Sequence, residues 1–119
     1  ESPTPYASMI TKQMGLMDFN RSAEELERLV RGLNPWPSAY TFINGKTLKV
    51  WKCKVSAEES DAAPGTVFLT DKEGIHAACG QGALILTEVQ LEGKKRMDTE
   101  VFLRGYHIEN GTCFTDHKG

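Results

Sequence analysis

Two segments with alternating apolar residues flank an Asn-Gly pair, and this pattern constrains the fold more than any other feature of the sequence. Residues 38–43 read SAYTFI, residues 46–55 read KTLKVWKCKV, and Asn44-Gly45 lies between them. Asn-Gly is preferred at the two central positions of a type I′ turn, because both positions need positive φ. The sequence therefore predicts an antiparallel β-hairpin with a two-residue loop.

The second strand of this hairpin contains a break in the alternation. Leu48 and Val50 define one apolar face, whereas Trp51, Cys53 and Val55 define the other, so the pattern shifts by one residue after Val50. One extra residue in the strand, a β-bulge, would bring both sets to a single inward face and bend the strand. Such a bend is typical of a long strand that curls from one part of a barrel into another.

Three more strand-like segments follow the hairpin. They are TVFLT at residues 66–70, IHAAC at residues 75–79 and ALILTEVQLE at residues 83–92. A chain of 119 residues is expected to form a single core. Five short strands with tight turns fit a closed or nearly closed antiparallel barrel better than an open sheet, and no pattern indicates a parallel sheet.

The sequence predicts one helix before the strands and one after them. Ser22 and Glu25 form a Ser-x-x-Glu capping box, and the apolar residues that follow fall on one helical stripe: Leu26, Leu29, Val30 and Leu33. Near the C-terminus, Asp98 is a favourable N-cap for a short helix. We expect this helix to plug one end of the barrel with Phe102 and Tyr106.

The chain divides into an arm, a domain and a tail. Residues 1–17 contain Pro and Gly without a helical or alternating period, which predicts a linker or arm. Residues 18–110 hold the predicted elements, and residues 111–119 are expected to form a tail. The sequence starts with Glu1 rather than Met, which predicts an excised fragment of a longer protein.

Neither a membrane segment nor a catalytic motif is found in the sequence. No apolar run is long enough to span a bilayer, and the three cysteines form no Cys-x-x-Cys pair, so a soluble protein of the reducing cytoplasm is expected. Phosphate-binding loops, dinucleotide fingerprints and nucleophile elbows are absent, and no histidine has a partner at metal-ligand spacing. Glu88, a carboxylate within an apolar strand, is expected to face solvent. We therefore predict no catalytic residue, metal or cofactor in this chain.

Positive charge is concentrated in two places, although the net charge is −2. Residues 46–54 contain four lysines and no acid, and residues 94–96 are Lys-Lys-Arg. If the bulge bends the strand, Lys49, Lys52 and Lys54 share its outer side. Such a surface can attract an anion whatever the net charge. Exposed lysines also simply protect a strand and keep it in water, and the sequence alone supports both interpretations equally.

Five blocks of the sequence are distinctive: SAEELERLVRGLNPWPSAYT, GKTLKVWKC, PGTV, ACGQGALILTEVQLEGKKRM and EVFLRG. In this order they resemble the C-terminal domains of methionyl-tRNA formyltransferases. The resemblance covers residues 5–109 and departs from the family at Ser38, where Gly is usual, and at Tyr106, where His is frequent.

The resemblance implies a mainly β fold, an OB-like five-stranded Greek-key barrel with an N-terminal helix and a short C-terminal helix. In that family a formyl group passes from 10-formyltetrahydrofolate to the amino group of methionine on initiator tRNA. The chemistry belongs to an N-terminal Rossmann-like domain, none of which is in this sequence. The chain is therefore expected to be a non-catalytic, monomeric, cytoplasmic partner of that domain, without a cofactor of its own.

The implied role of the chain is to offer a basic surface to the tRNA. Lysines and arginines suit contacts with phosphates, which position a nucleic acid without reading its sequence. The residues predicted to make these contacts are Lys46, Lys49, Lys52, Lys54, Lys94, Lys95, Arg96 and Arg104.

Two other interpretations stay open at this point. The barrel could be a passive brace for a related formyltransferase-family enzyme, or a module that binds another protein. The aromatic residues are expected in the core rather than among the cations: Trp36, Tyr40, Trp51 and Phe68. The tRNA interpretation depends on the bent strand gathering both groups of cations on one outer wall.

Overall fold

The computed structural model describes residues 15–33, 38–58 and 60–116, and in these residues one helix precedes six strands and a second helix follows them. The elements are α1 (Ala23–Leu33), β1 (Ala39–Ile43), β2 (Lys46–Ser56), β3 (Val67–Asp71), β4 (Gly74–Ala78), β5 (Ala83–Leu91), β6 (Met97–Asp98) and α2 (Thr99–Gly105). The predicted mainly β class, with one helix before the strands and one after them in the sequence, is confirmed.

The capping box predicted for α1 forms as expected. The backbone N–H of Glu25 donates to Ser22 Oγ at 3.1 Å, and the backbone N–H of Ser22 donates to Glu25 Oε1 at 3.2 Å. Leu26 and Val30 of the predicted apolar stripe are buried, and Leu29 packs against the core at its edge. The helix therefore lies with one face on the sheet.

The Asn-Gly hairpin is also confirmed. Asn44 and Gly45 have φ of 50° and 79°, the left-handed conformation that the turn requires. The strands pair from Ile43 opposite Lys46 to Ala39 opposite Val50.

The irregularity predicted in β2 lies at the expected place. In the pairing of β2 with β5, the register shifts between Val50 and Lys52 and again between Lys52 and Cys53. Leu48 and Val50 are fully buried before the shift, and Cys53 packs against the core after it. Val55 was also expected on the inward face, but its side chain is exposed, so the inward face of β2 ends at Cys53.

The strands form one antiparallel sheet that is not closed. Its order is β1-β2-β5-β4-β3, with β6 pairing on β5. A closed or nearly closed barrel of five strands was expected, and the structure instead has an open, OB-like sheet of six strands. The sixth was missed because a two-residue strand is too short to show a period.

Residues 111–116 connect the two edges of this sheet. Phe42 of β1 and Thr115 exchange backbone hydrogen bonds at 3.2 and 2.9 Å. The N–H of Val67 in β3 donates to Thr112 O at 2.7 Å, and Phe114, which is buried, donates its N–H to Gly65 O at 2.8 Å. The segment placed in a tail by its sequence thus satisfies backbone groups of both edge strands.

The N-terminal segment is packed in the same way where the structure describes it. The N–H of Met17 donates to Tyr40 O at 2.8 Å, and the Met17 side chain is only 1% exposed. Gly80 donates its N–H to the carbonyls of Phe19 and Arg21, and a Cβ there would lie 1.8 Å from a backbone oxygen of the same segment. A glycine is therefore required at position 80. The rest of the predicted arm, residues 1–14, lies outside the described residues.

The core lies between the sheet and the helices. Phe102 of α2 is buried and stacks on Tyr106 with ring centroids 5.1 Å apart, so both rings pack against the core, although the sheet has no closed barrel end for them to plug. Asp98 is the N-cap residue of α2, as predicted, although its side chain makes no capping hydrogen bond. The largest fully buried side chains are Met17, Leu26, Ile43, Leu48, Ile75, Leu84, Leu86 and Leu91.

Neither helix within the described part of the chain has the length and apolar character needed to cross a membrane.

Replacement of Phe114 by Ala tests the role of the C-terminal segment. Phe114 is 7% exposed and stacks on Phe19 at 5.2 Å, so Phe114→Ala should lower the free energy of unfolding by about 3–5 kcal/mol. Urea unfolding followed by circular dichroism measures the loss. Val101→Ala, which shortens an exposed side chain, should change it by less than about 0.5 kcal/mol. A loss below about 1 kcal/mol for Phe114→Ala would mean that the segment does not belong to the fold.

Ser38 provides a second test, because its backbone lies in the left-handed region that favours glycine. Its φ is 77°, a conformation that costs a residue with a Cβ atom about 1 kcal/mol relative to Gly. Ser38→Gly and Ser38→Ala both remove the hydroxyl, but only the Gly variant relieves the backbone. The Gly variant should therefore be more stable than the Ala variant by about 1 kcal/mol in urea unfolding. Equal stabilities would contradict a left-handed backbone at this position.

Candidate nucleic-acid interface

Strand pairing brings cations from two distant parts of the sequence together. Lys49 pairs opposite Gln90 in β5, and Lys52 pairs opposite Glu88. The turn that follows β5 leads into β6, which returns along β5 with Met97 opposite Val89. Arg96, immediately before β6, is therefore carried back to the bent part of β2.

Trp51 lies between these cations at the surface. The guanidinium carbon of Arg96 is 4.4 Å from the centroid of the Trp51 ring, and Lys49 Nζ is 5.9 Å from it. These are cation–π distances, with Arg96 the closer partner. Trp51 is half-buried and outside the core, so its assignment to the core was wrong. A signal was present, since Trp51 occupies the position where the alternation shifts.

Tyr40 and Phe68 are likewise half-buried rather than part of the buried core. They pack against other rings, Tyr40 on Phe42 and Phe68 on His76. Trp36 lies outside the described residues.

Glu88 is an acidic residue of this surface. Its side chain is 16% exposed and pairs with Lys52 Nζ at 3.7 Å and with Arg96 Nε in a short contact. Lys52 and Arg96 remain 65% and 42% exposed. Ion pairs with exposed partners are weak and exchange readily with other anions, so these cations are partly neutralised but accessible.

The lysines of the turn carry no such partner among the described residues. Lys94 and Lys95 are exposed, and neither forms an ion pair with a carboxylate in the described part of the chain. The same holds for Lys46 and Lys49. We call the group consisting of Lys49, Lys52, Lys94, Lys95 and Arg96 the basic face.

Two of the predicted site residues make other contacts. Lys54 Nζ pairs with Glu73 Oε2 at 3.0 Å in the turn between β3 and β4. Arg104 pairs with Glu100 on α2 at 3.9 Å and lines a shallow depression with Thr70 and Lys72. Both therefore point to the β3–β4 turn, whereas Lys46 lies at the start of β2 beside the hairpin loop.

The β3–β4 turn also brings together a group that was missed from the sequence. Ligand atoms of Asp71, Glu73 and His76 lie within 4.8 Å of one another, a spacing that a metal ion could bridge. Each is already engaged, since His76 Nε2 lies 2.9 Å from Asp71 Oδ1 and Glu73 is paired with Lys54. Nδ1 of the buried His76 has no hydrogen-bond partner, whereas metal-bound histidines usually use that second nitrogen. The group is best described as a polar anchor of the turn.

The two cysteines placed in strand-like segments are inert, as expected. Burial raises the pKa of both the Cys53 and the Cys79 thiols to about 12, so neither is a nucleophile at neutral pH.

Asp71 provides a pH test of the turn. Burial opposes its ionisation, but a hydrogen bond and electrostatic attraction from His76, with backbone N–H groups of Glu73 and Gly74, hold the pKa of Asp71 below its ordinary value of 3.8. A lowered folded-state pKa means that the ionised carboxylate stabilises the fold above pH 3.8, and that this stability is lost as the pH falls through the folded-state pKa.

The Asp71→Asn variant should therefore be less stable than the wild type at neutral pH, and the difference should shrink as the pH falls below 3.8. Urea unfolding at a series of pH values from neutral down to about pH 2.5 measures this difference. A difference that stays constant across the series would show that the carboxylate charge does not hold the turn.

The chain matches known proteins along most of its length. The family described as Formyl transferase, C-terminal domain, matches residues 9–107. Methionyl-tRNA formyltransferase of Agathobacter rectalis is 54% identical over 110 residues, which are 92% of this chain and 36% of that protein. The corresponding enzyme of Bacillus subtilis is 50% identical over 112 residues, covering 93% of this chain and 35% of that protein. The chain thus spans about a third of the length of these curated relatives.

A solved structure has the same fold at low identity. HypX from Aquifex aeolicus, in complex with tetrahydrofolic acid, superposes with a TM-score of 0.65 and 16% identity over 86% of this chain and 21% of that one. At this identity the match supports the arrangement of strands and helices alone.

Proposed function

The chain belongs to the family of formyl transferase C-terminal domains, and from this premise we propose that it is the non-catalytic, tRNA-binding domain of a methionyl-tRNA formyltransferase. The relatives support this choice of parent enzyme, because several proteins about 50% identical to the chain are named methionyl-tRNA formyltransferase. The basic face supports tRNA as the partner, because exposed lysine and arginine side chains suit contacts with phosphates.

The observation that carries the proposal is the meeting of two cation groups across the bulge. Lys49 and Lys52 are three residues apart and would point to opposite faces of a regular strand. Because the register shifts between them, both are exposed on the side of Arg96: Lys49 and Arg96 contact the Trp51 ring, and Lys52 and Arg96 share Glu88. A surface of this kind follows a phosphate backbone without requiring a particular base sequence.

The cations are expected to contribute unequally to binding. Lys52 and Arg96 share the charge of Glu88, so a phosphate that approaches them gains less than one that approaches an unpaired lysine. Four cations have no described acidic partner: Lys46, Lys49, Lys94 and Lys95. If each contacts one phosphate, the logarithm of the binding constant should fall with the logarithm of salt concentration with a slope of about −3 to −4.

The domain acts in this proposal by holding and orienting initiator tRNA for chemistry that takes place outside this chain. The formyl donor, 10-formyltetrahydrofolate, and the reacting amino group of the methionine are assigned to an N-terminal catalytic domain of the same protein. The domain functions in the cytoplasm and without a second copy of itself. Lys54 and Arg104, which contact the β3–β4 turn, are assigned a minor share in tRNA binding.

Two triple variants with equal charge change test the proposal. Lys49→Gln, Lys94→Gln and Lys95→Gln remove three cations of the basic face, and Arg21→Gln, Arg28→Gln and Lys72→Gln remove three cations elsewhere. The first variant should bind initiator tRNA about 10- to 100-fold more weakly at low salt, with a salt slope reduced by about 2–3. Fluorescence anisotropy with labelled tRNA measures both quantities.

The control variant should retain most of the wild-type affinity and slope, because its cations lie outside the basic face. Equal losses in both variants would show a diffuse attraction without a binding face. No loss in either variant would favour the passive brace or the protein-binding module over a tRNA-binding domain.

A further inference from the structure

Gln90 makes two hydrogen bonds that link Trp51 to the turn of the basic face. It lies on β5 opposite Lys49. Its side-chain oxygen Oε1 accepts from the indole Nε1–H of Trp51 at 3.1 Å. Its Nε2–H donates to the backbone carbonyl of Lys94 at 3.1 Å. One amide thus connects the bulged strand with the main chain of the turn.

The turn over residues 92–96 is fixed at both ends by other contacts. At its start, Thr47 and Glu92 exchange hydrogen bonds, with the Glu92 N–H on Thr47 O at 2.8 Å and the Thr47 N–H on Glu92 Oε1 at 3.0 Å. At its end, Arg96 is held by Glu88 and by the ring of Trp51. Between these ends, among the described residues, Gln90 supplies the side-chain hydrogen bond to the Lys94 carbonyl.

We propose that Gln90 is a positioning residue for tRNA binding, which sets the turn so that Lys94 and Lys95 lie beside Lys49 and Arg96 before the RNA arrives. The inference rests on the proposed function and adds to it a residue that touches no phosphate. Ordering a flexible turn on binding opposes affinity, so a turn that is already ordered binds more tightly with the same contacts.

The chemistry of the amide explains why this position holds glutamine. The indole N–H needs an acceptor and the Lys94 carbonyl needs a donor, and an uncharged side-chain amide offers both. A glutamate could accept from Trp51 but could not donate to the carbonyl, and it would add a negative charge to the basic face. A methionine has a similar length and no charge, and it lacks both strong hydrogen bonds.

A double-mutant cycle tests the inference. The four proteins are the wild-type chain, Gln90→Met, the pair Lys94→Gln with Lys95→Gln, and the combination of all three changes. Fluorescence anisotropy measures the affinity for labelled initiator tRNA over a range of salt concentrations. The indole N–H resonance of Trp51 in a ¹H–¹⁵N spectrum reports the hydrogen bond to Gln90 without RNA.

Gln90→Met should weaken tRNA binding about five- to tenfold, shift the Trp51 indole resonance and leave the salt slope of the wild type unchanged, since no cation is lost. In the background that lacks both turn lysines, the same substitution should have little further effect on affinity. Trp51→Phe keeps a ring under Arg96 but removes the N–H donor to Gln90, and it should weaken binding by a smaller factor, about two- to threefold.

Four results would overturn the inference. An unchanged affinity of Gln90→Met, while the lysine pair weakens binding, would remove Gln90 from the site and leave the proposed function intact. An equal loss in both backgrounds, or a cooperative loss of the folded spectrum, would mark Gln90 as a residue of the fold only. An unchanged affinity of the lysine pair would remove the proposed function itself, and with it the positioning role.

Discussion

The bulge at Trp51 is the constraint on which the basic face depends. Side chains of a regular strand alternate between faces, so Lys49 and Lys52 could share a face only if the register shifted between them. The shift also takes Trp51 out of the core and exposes its ring to the cations. Because β5 pairs with the bent half of β2 and then returns as β6, the same place receives Arg96. One local irregularity thus joins two segments more than 40 residues apart in the sequence.

Ion pairing within the basic face fixes the positions of two of its cations and lowers the positive potential of the surface. Glu88 holds Arg96 against Trp51 and also contacts Lys52, at the expense of part of their positive potential. Gln90, which is uncharged, links Trp51 to the turn through hydrogen bonds to the indole N–H and to the Lys94 carbonyl. A carboxylate that fixes a cation also reduces the charge that the cation offers to other anions. Arg96 is paired with Glu88 in this way, whereas Lys94 and Lys95 have no ion-pair partner among the described residues.

Local sequence rules predicted local structure well in this chain. The Asn-Gly turn, the capping box at Ser22 and the shift after Val50 are each decided by a few neighbouring residues, and each is confirmed. Contacts that depend on distant parts of the chain could not be predicted in this way. The two-residue β6 has no period, and residues 111–116 gain their order from two edge strands. Glu73, the partner of Lys54, lies on a turn that the sequence does not place beside β2.

We propose that tRNA binds at the bulged part of β2 and the turn beside it, and a chemical-shift titration can test this directly. Initiator tRNA is added in steps to the ¹⁵N-labelled chain at low salt, and the backbone and indole resonances are followed. We expect the shift perturbations to concentrate in residues 46–52 and 90–96 together with the Trp51 indole, and the resonances of residues 24–31 of α1 to remain unshifted. Perturbations centred on α1 or on residues 111–116, with the bulge unaffected, would contradict it.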